Sequence, residues 1–181
     1  MYFLSDAAMK AVVFAGFSGS GKTTLVEQLI PLLKQQGQRV SVAKHAHHRF
    51  DIDQPGKDSW RHRQAGAYEV VIASDLRLAL VREFEASERL SVHALIAELD
   101  PSVDWVLVEG FKTSELPKIE VWRAASDQPV QYPSDPRIVA IATDSVLPTP
   151  ATLPVLDINN PAAVVAWLQQ HADLFAYQAP P

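Results

Sequence analysis

Gly16-Phe17-Ser18-Gly19-Ser20-Gly21-Lys22-Thr23, residues 16–23, matches the phosphate-binding pattern G-x-x-x-x-G-K-[ST]. The glycines of this pattern let the backbone curl, so that successive N–H groups point at phosphate oxygens. A helix that starts after the loop adds the positive end of its dipole to the same site. We therefore expect a nucleoside triphosphate to be bound by Gly16, Ser18, Gly19, Ser20, Gly21, Lys22, Thr23 and Thr24.

The sequence on both sides of this loop is typical of the strand–loop–helix unit in which the pattern functions. An apolar run precedes the loop at residues 11–15, and apolar residues at helical spacing follow it: Leu25, Leu29, Leu32 and Leu33. Such flanks favour a true phosphate-binding loop over a chance match. The chain is expected to adopt an α/β fold like that of P-loop NTPases, with a mixed, mostly parallel sheet flanked by helices.

Further strands are predicted where apolar and β-branched residues cluster, and these complete the expected set: residues 39–43, 105–108, 118–122 and 138–142. Residues 69–73 and 76–81 predict a hairpin, which is why we expect the sheet to be mixed. A short helix capped by Asp58 or Ser59 is expected to run to Gly66, and another covers residues 91–99. A last helix begins at Asn160 and Pro161, with Ala163, Val164, Trp167 and Leu168 facing the core.

Length and composition indicate one globular domain. The 181 residues are 48% apolar, carry a net charge of −5 and include no cysteine. We expect a single domain over residues 9–175, a disordered extension over residues 1–8 and a frayed tail over residues 176–181. The negative charge argues against nucleic acid as a partner, and there is no apolar run long enough to span a membrane. The absence of cysteine and of a secretory signal fits the cytoplasm.

Two side chains of the loop and one distant carboxylate form the expected reaction site. Lys22 is expected to lie along the β- and γ-phosphates, while the Thr23 hydroxyl binds Mg²⁺. Glu109 follows the apolar run 105–108, at the carboxyl end of a strand, where open α/β sheets bind their ligands. It is expected to hold the metal or to orient an attacking water. A solvated strand end is the alternative interpretation of Glu109.

The histidine-rich segment 44–53 has three possible interpretations. Its sequence, KHAHHRFDID, contains Asp51 and Asp53, which would reach the metal of the nucleotide if the segment folds over the phosphates. A zinc site at His45, His47 and His48 is the other hypothesis, although their spacing matches no closed tetrahedral pattern. An exposed polar loop without a ligand remains a third possibility.

A basic run follows at residues 57–63, KDSWRHR. Lys57 would lie near the start of a short helix, with Arg61 and Arg63 pointing to different sides. Such a patch in an acidic protein is suited to a second anionic group. A solvated helix face accounts for the same residues equally well.

Three parts of the sequence together resemble the molybdopterin-guanine dinucleotide biosynthesis adaptor family, MobB: the phosphate loop, the run KHAHHRFDIDQPGKDSWRHRQAGA at residues 44–67, and VEGFK at residues 108–112. The resemblance extends over residues 9–170. It implies a homodimeric protein with a mixed α/β sheet that binds GTP and hydrolyses it slowly. It also implies a supporting role for the guanylyltransferase that joins GMP to molybdopterin.

The resemblance maps the nucleotide site to residues 16–24 and the metal-side carboxylate to Glu109. It suggests Lys57, Arg61 and Arg63 as contacts for a pterin phosphate or for the partner enzyme. The tetrapeptide N-K-x-D, with which common GTPases read guanine, is absent. Asp144 follows the predicted strand 138–142 and is our candidate for that role.

Two other classes of function fit the same loop. One is a small-molecule kinase or ATP-dependent ligase whose basic patch binds an anionic metabolite. The other is an interaction module without catalysis. A Mg²⁺-dependent GTPase that acts as an adaptor is the leading interpretation, and it rests on the resemblance. Its hydrolysis is expected to be slow, because no catalytic glutamine or arginine finger is identifiable in the sequence.

Overall fold

The computed structural model describes residues 8–46 and 50–180. Contacts divide the chain into two compact units, one made of Met1–His45 and Ser91–Pro181, the other of Ala46–Leu90. Most of the expected extension at residues 1–8 lies outside the described residues. The single domain expected over residues 9–175 stays a prediction, since each unit is described by itself.

Eight strands and four α-helices form the described chain. In order they are β1 (Lys10–Ala15), α1 (Lys22–Gln35), β2 (Val40–Lys44), α2 (Asp58–Gln64), β3 (Glu69–Ser74), β4 (Arg77–Arg82), α3 (Val92–Ala97), β5 (Trp105–Glu109), β6 (Lys118–Val121), β7 (Ile138–Thr143), β8 (Val155–Asp157) and α4 (Pro161–Gln170). The first unit contains a six-stranded sheet in the order β2-β5-β1-β6-β7-β8. All of its neighbouring strands pair in parallel, so their carboxyl ends meet at one edge.

Helices cover both faces of this sheet, which explains why β1 and β5 are continuous apolar runs. Val12 and Phe14 belong to one core cluster, together with the buried leucines of α1 and with Val164 and Leu168 of α4. The alternate residues of β1 belong to a second cluster on the opposite face, with Val92 and Ile96 of α3. The α/β fold with a mostly parallel sheet is therefore confirmed.

The antiparallel pairing expected from the sequence is confined to the second unit. Strands β3 and β4 form a two-stranded sheet of their own, from the pair Glu69–Arg82 to the pair Ser74–Arg77. The predicted hairpin is confirmed, with its turn at residues 75–76. Helix α2 begins at Asp58 in the same unit, and Lys57 is its N-cap residue.

The expected strand set was wrong in one respect, because β8 forms the edge of the main sheet. It has three residues, of which only the central Leu156 is buried. A strand this short has no apolar run that would predict it from the sequence. Its hydrogen bonds to β7 define it as a strand. The last helix also differs in detail: Asn160 caps it through a hydrogen bond from the Ala163 N–H, but Ala163 itself is exposed.

The end of the first unit is attached to the start of β1. Lys10 forms an antiparallel bridge with Ala176, and the Tyr177 N–H donates a 2.8 Å hydrogen bond to the Met9 carbonyl. The expectation of a frayed tail therefore does not hold at Ala176 and Tyr177. In the part of the chain that the structure describes, no helix has the length and apolar character needed to cross a bilayer.

Strand β6 contains two buried ionisable side chains that hold the loop before β7. The Glu120 carboxylate accepts hydrogen bonds from the backbone N–H groups of Gln131 and Tyr132, at 2.7 and 2.8 Å. Lys118 pairs with Asp135 at 2.8 Å. Burial raises the pKa of Glu120, against the opposing effect of those two N–H donors. These contacts keep a long loop in place beside the sheet.

Candidate nucleotide site

The phosphate loop follows β1 at the carboxyl edge of the main sheet, and its backbone requires glycine at the first position. Gly16 has a φ of +147°. A Cβ at this position would lie 2.3 Å from the Val121 carbonyl oxygen and 2.8 Å from the Ser20 hydroxyl oxygen. The loop therefore packs directly on the end of β6, and no side chain fits between them.

The start of α1 provides the features that an anion needs. Gly21 is the N-cap residue, with a φ of +96°; no side chain caps the helix, and its first turn contains no acidic residue. The first N–H groups of the helix are thus available to a ligand. The Ser20 hydroxyl is buried and has no hydrogen-bond partner among the described residues. A phosphate oxygen would satisfy this buried donor.

Lys22 bends back over the loop, where its ammonium group donates a 2.7 Å hydrogen bond to the Phe17 carbonyl. Burial lowers the pKa of Lys22; Glu109 opposes this effect, and the nearby charges of Lys44 and Lys112 add to it. The Lys112 ammonium lies 4.9 Å from the centre of the Phe17 ring. Three lysines thus surround the loop near one carboxylate, so the site has an excess of positive charge that suits a polyphosphate.

Thr23 and Glu109 meet although 86 residues separate them: the Thr23 hydroxyl donates a 2.7 Å hydrogen bond to Glu109 Oε1. The strand order produces this contact, because β5 lies beside β1 and Glu109 is the register partner of Phe14. Glu109 is buried. A hydroxyl and a carboxylate beside a phosphate loop fit Mg²⁺, which takes few protein ligands and completes its shell with phosphate and water oxygens. The two side chains lie together, and their expected roles toward Mg²⁺ stay predictions.

The described residues contain no larger metal site. No group of three or more acidic or histidine side chains is arranged to hold an ion among residues 8–46 and 50–180. Of the histidines in the zinc hypothesis, His47 and His48 lie outside the described residues. His45 is described, and its ring lies edge-on to Phe111 with the ring centres 5.2 Å apart.

A second polar cluster lies at the carboxyl ends of β6, β7 and β8. Asp144 follows β7, and its carboxylate lies 3.4 Å from Arg123 Nε. Another nitrogen of Arg123 donates a 3.4 Å hydrogen bond to Asn159. A Cβ on Gly21 would lie 3.7 Å from Arg123 Nε, so the cluster adjoins the end of the phosphate loop. The Ser145 hydroxyl donates a 3.0 Å hydrogen bond to Asp144 and fixes the carboxylate.

The second unit gives Asp53 and Arg63 a structural role. One oxygen of Asp53 accepts hydrogen bonds from the Gln54 N–H and the Ser59 hydroxyl, and the other accepts one from Arg63 Nε at 3.2 Å. Arg63 also pairs with Asp51 at 2.9 Å and with Glu83 at 2.6 Å, and its side chain is only 7% exposed. This arrangement differs from the expected roles of Asp53 as a metal ligand and of Arg63 as a free anion contact.

Lys57 and Arg61 are exposed side chains of the second unit. Helix α2 has seven residues, too few to form an anion site by its dipole alone. The expected contacts of Lys57 and Arg61 with a phosphate or a partner stay predictions.

Replacement of Arg63 by methionine is expected to loosen the second unit. The change leaves Asp51, Asp53 and Glu83 close together without their shared cation, which favours local opening. Backbone N–H groups first and Arg63 second hold the pKa of Asp51 below its ordinary value of 3.8. Its stabilising effect is therefore present above that value and is lost as the pH falls through the lowered pKa. Amide exchange over residues 51–83 should be faster in the variant at pH 7.

Arg61→Met is the matched control, because it removes the same charge from an exposed position of the same helix. Equal exchange rates in the two variants would contradict a structural role for Arg63.

Three residues near the site were not selected from the sequence. Lys44, Lys112 and Arg123 lie just after or at the ends of strands, but a single basic residue at such a place is common in any chain. The available signal was position: each is at or beyond the carboxyl end of a strand of one parallel sheet. The strand order was needed to show that these ends are neighbours.

Comparison with known proteins shows the family to which the chain belongs. Residues 11–144 match the family model described as molybdopterin guanine dinucleotide synthesis protein B, MobB. The chain is 41% identical to the molybdopterin-guanine dinucleotide biosynthesis adapter protein of Escherichia coli K12, a match that covers 88% of this chain and 93% of that protein. It is 44% identical to the protein of the same name from Haemophilus influenzae, over 80% of this chain and 79% of that one.

Two crystal structures of MobB proteins have the same fold. The MobB homolog of Bacillus stearothermophilus superposes with a TM-score of 0.66 at 26% identity, covering 91% of this chain and 99% of that one. Bacillus subtilis MobB gives a TM-score of 0.68 at 26% identity, covering 90% of this chain and 98% of that one. With its phosphate loop, its Thr23–Glu109 pair and these matches in sequence and fold, the chain belongs to the MobB family.

Proposed function

We propose that this chain binds GTP with Mg²⁺, hydrolyses it slowly, and acts as the adapter of the cytoplasmic guanylyltransferase that forms molybdopterin guanine dinucleotide. The observation that supports the nucleotide part most strongly is the 2.7 Å contact between Thr23 and Glu109 beside the phosphate loop. The adapter part is supported by the family, whose E. coli and H. influenzae members are named adapter proteins of this biosynthesis. A homodimer is part of the same proposal.

The chain's own residues would hold the nucleotide in complementary ways. Loop N–H groups, the Ser20 hydroxyl and the Lys22 ammonium would bind phosphate oxygens, and Lys22 would exchange its bond to the Phe17 carbonyl for them. Thr23 and Glu109 would hold Mg²⁺, with Glu109 acting directly or through an ordered water. Bound Mg²⁺ neutralises negative charge on the terminal phosphates. Excess lysine at the site favours a triphosphate over ligands with less charge.

The cluster of Arg123, Asp144 and Asn159 would read the base. Guanine presents N–H donors on one edge and the O6 and N7 acceptors on another, which suits a carboxylate next to a guanidinium. Asp144 would accept from the donors, and Arg123 would donate to the acceptors. Arg123 Nε is buried and makes no hydrogen bond among the described residues, although Asp144 lies 3.4 Å away, so it could donate to a base acceptor.

An Asp144→Asn variant tests this assignment. The carboxamide has nearly the same shape but presents an N–H group to guanine's donors, so GTP affinity should fall about 10- to 100-fold. Xanthosine triphosphate has a carbonyl in place of the guanine amino group and should bind the variant more tightly than GTP does. Calorimetric titration of both nucleotides measures the switch. Unchanged GTP preference would remove Asp144 from base recognition.

The adapter role predicts coupling between the nucleotide and the partner. GTP and ATP are titrated separately, each with and without molybdopterin and the guanylyltransferase. We expect GTP to bind more tightly than ATP and its affinity to rise when the transferase is present, because coupling between two ligands is reciprocal. Exposed Lys57 and Arg61 would contribute to the partner or pterin contact, so their replacement should reduce this coupling. Rapid ADP formation that depends on a metabolite would instead support a kinase or ligase.

A further inference from the structure

Lys44 lies at the nucleotide site although it belongs to no phosphate-binding pattern. It is the last residue of β2 and the register partner of Glu109 on β5. Its ammonium group lies 3.2 Å from Glu109 Oε1. The Thr23 hydroxyl donates to that same oxygen from 2.7 Å. The Lys44 ammonium and the Thr23 hydroxyl are therefore close neighbours, since both contact the same oxygen of Glu109.

The backbone around Lys44 is fixed, while its side chain is accessible. The N–H of the next residue, His45, donates a 3.1 Å hydrogen bond to the Glu109 carbonyl. The side chain of Lys44 is 54% exposed. The Glu109 side chain is only 11% exposed, so it needs another partner, such as the nucleotide's metal ion, when Lys44 leaves it. With Glu109 so partnered, a lysine on an anchored strand can turn to a more highly charged anion.

We propose that Lys44 is a second phosphate-binding lysine that contacts the terminal phosphate of the bound triphosphate. The proposal rests on the nucleotide binding proposed above. When Glu109 turns to bind Mg²⁺, Lys44 loses its counter-ion. Its ammonium group would then lie beside the terminal phosphate and bind it instead. Lys44 then supplies, from the same chain, the cation that an arginine finger supplies elsewhere, and it makes the site prefer triphosphate over diphosphate.

A simple ion pair between Lys44 and Glu109 predicts the opposite behaviour. If Lys44 only neutralises Glu109, then its removal frees the carboxylate for Mg²⁺ and strengthens metal-dependent binding of either nucleotide. If Lys44 contacts the terminal phosphate, its removal weakens binding of the triphosphate more than binding of the diphosphate. The two roles are therefore separated by a ratio of affinities.

The experiment measures the affinities of GDP and of a non-hydrolysable GTP analogue, with Mg²⁺, for the full chain and for Lys44→Met. We expect the preference for the triphosphate to fall about tenfold, the effect of losing one charge-assisted hydrogen bond. Lys44→Arg keeps the charge and should retain most of the preference. Lys34→Met removes one positive charge from the exposed last turn of α1 and should leave the ratio unchanged.

An unchanged ratio in Lys44→Met, or tighter binding of both nucleotides, would overturn the proposal while leaving nucleotide binding by the chain intact. Absence of guanine nucleotide binding by the unaltered chain would overturn the proposed function itself. Circular dichroism of each variant checks that the fold is kept. If Lys44→Met is unstable, the ratio of triphosphate to diphosphate affinity is measured for Lys44→Arg instead.

Discussion

Lys22→Ala is expected to weaken GTP binding by about 100-fold or more. Each charge-assisted hydrogen bond contributes about 1.5–3 kcal/mol, and Lys22 would make such bonds to two phosphates. Its ammonium group already lies at the loop, where it would exchange its hydrogen bond to the Phe17 carbonyl for bonds to phosphate oxygens. Calorimetric titration with GTP and Mg²⁺ measures the loss, and hydrolysis should fall in parallel.

The fold should tolerate this change, because Lys22 is only partly buried. Burial lowers the pKa of Lys22, which means that the folded state disfavours its charge, and the variant removes that charge. Lys34→Ala is the control, since it removes the same charge from the opposite end of α1. Equal GTP affinities in the two variants would contradict nucleotide binding at this loop.

Gly16→Ala is expected to abolish nucleotide binding and to destabilise the first unit. The new Cβ would lie 2.3 Å from the Val121 carbonyl oxygen, a distance that real Cβ atoms do not adopt. That oxygen is backbone at the end of β6, so relief requires the loop or the strand to shift. We expect a loss of about 1–3 kcal/mol in the free energy of unfolding, typical of overpacking. Denaturant unfolding and nucleotide titration measure the two effects.

Gly37→Ala separates the clash from the backbone strain. Gly37 has a φ of +79° after α1, and a Cβ there would have no atom within 4 Å. Only the strain of the left-handed conformation applies, about 1 kcal/mol, and nucleotide binding should be retained. If Gly16→Ala behaves like Gly37→Ala, the packing of the loop on β6 is not as described.

Most of the first unit could be predicted from local patterns. The runs at residues 11–15 and 105–108 are buried on both faces, and such runs indicate central parallel strands whatever their partners. Asn160 and Pro161 marked the last helix, and its cap is confirmed. β8 was missed because three residues with one buried side chain leave no pattern; its hydrogen bonds to β7 define it.

Ion pairs in the second unit were beyond sequence reasoning for a different reason. Asp53 and Arg63 were interpreted as free groups for a metal and an anion, because charge along a sequence does not reveal which partner lies in reach. In the fold they neutralise one another, together with Asp51 and Glu83. A cation enclosed by three carboxylates stabilises the local fold and has little capacity left for a ligand.

The sequence by itself determined the phosphate loop, since the N–H groups that bind a phosphate come from consecutive residues and need no other part of the chain to be recognised. Glu109 could be selected as well, because a phosphate loop predicts a carboxylate at the carboxyl end of a neighbouring buried strand. Only the tertiary structure decided which distant side chains join them. Parallel pairing of β2, β5 and β1 brings the Lys44 ammonium and the Thr23 hydroxyl to the same carboxylate oxygen of Glu109. The ends of β6, β7 and β8 likewise assemble Arg123, Asp144 and Asn159. Which strand ends are adjacent at the edge of a sheet depends on the strand order, and the spacing of residues along the chain does not specify that order.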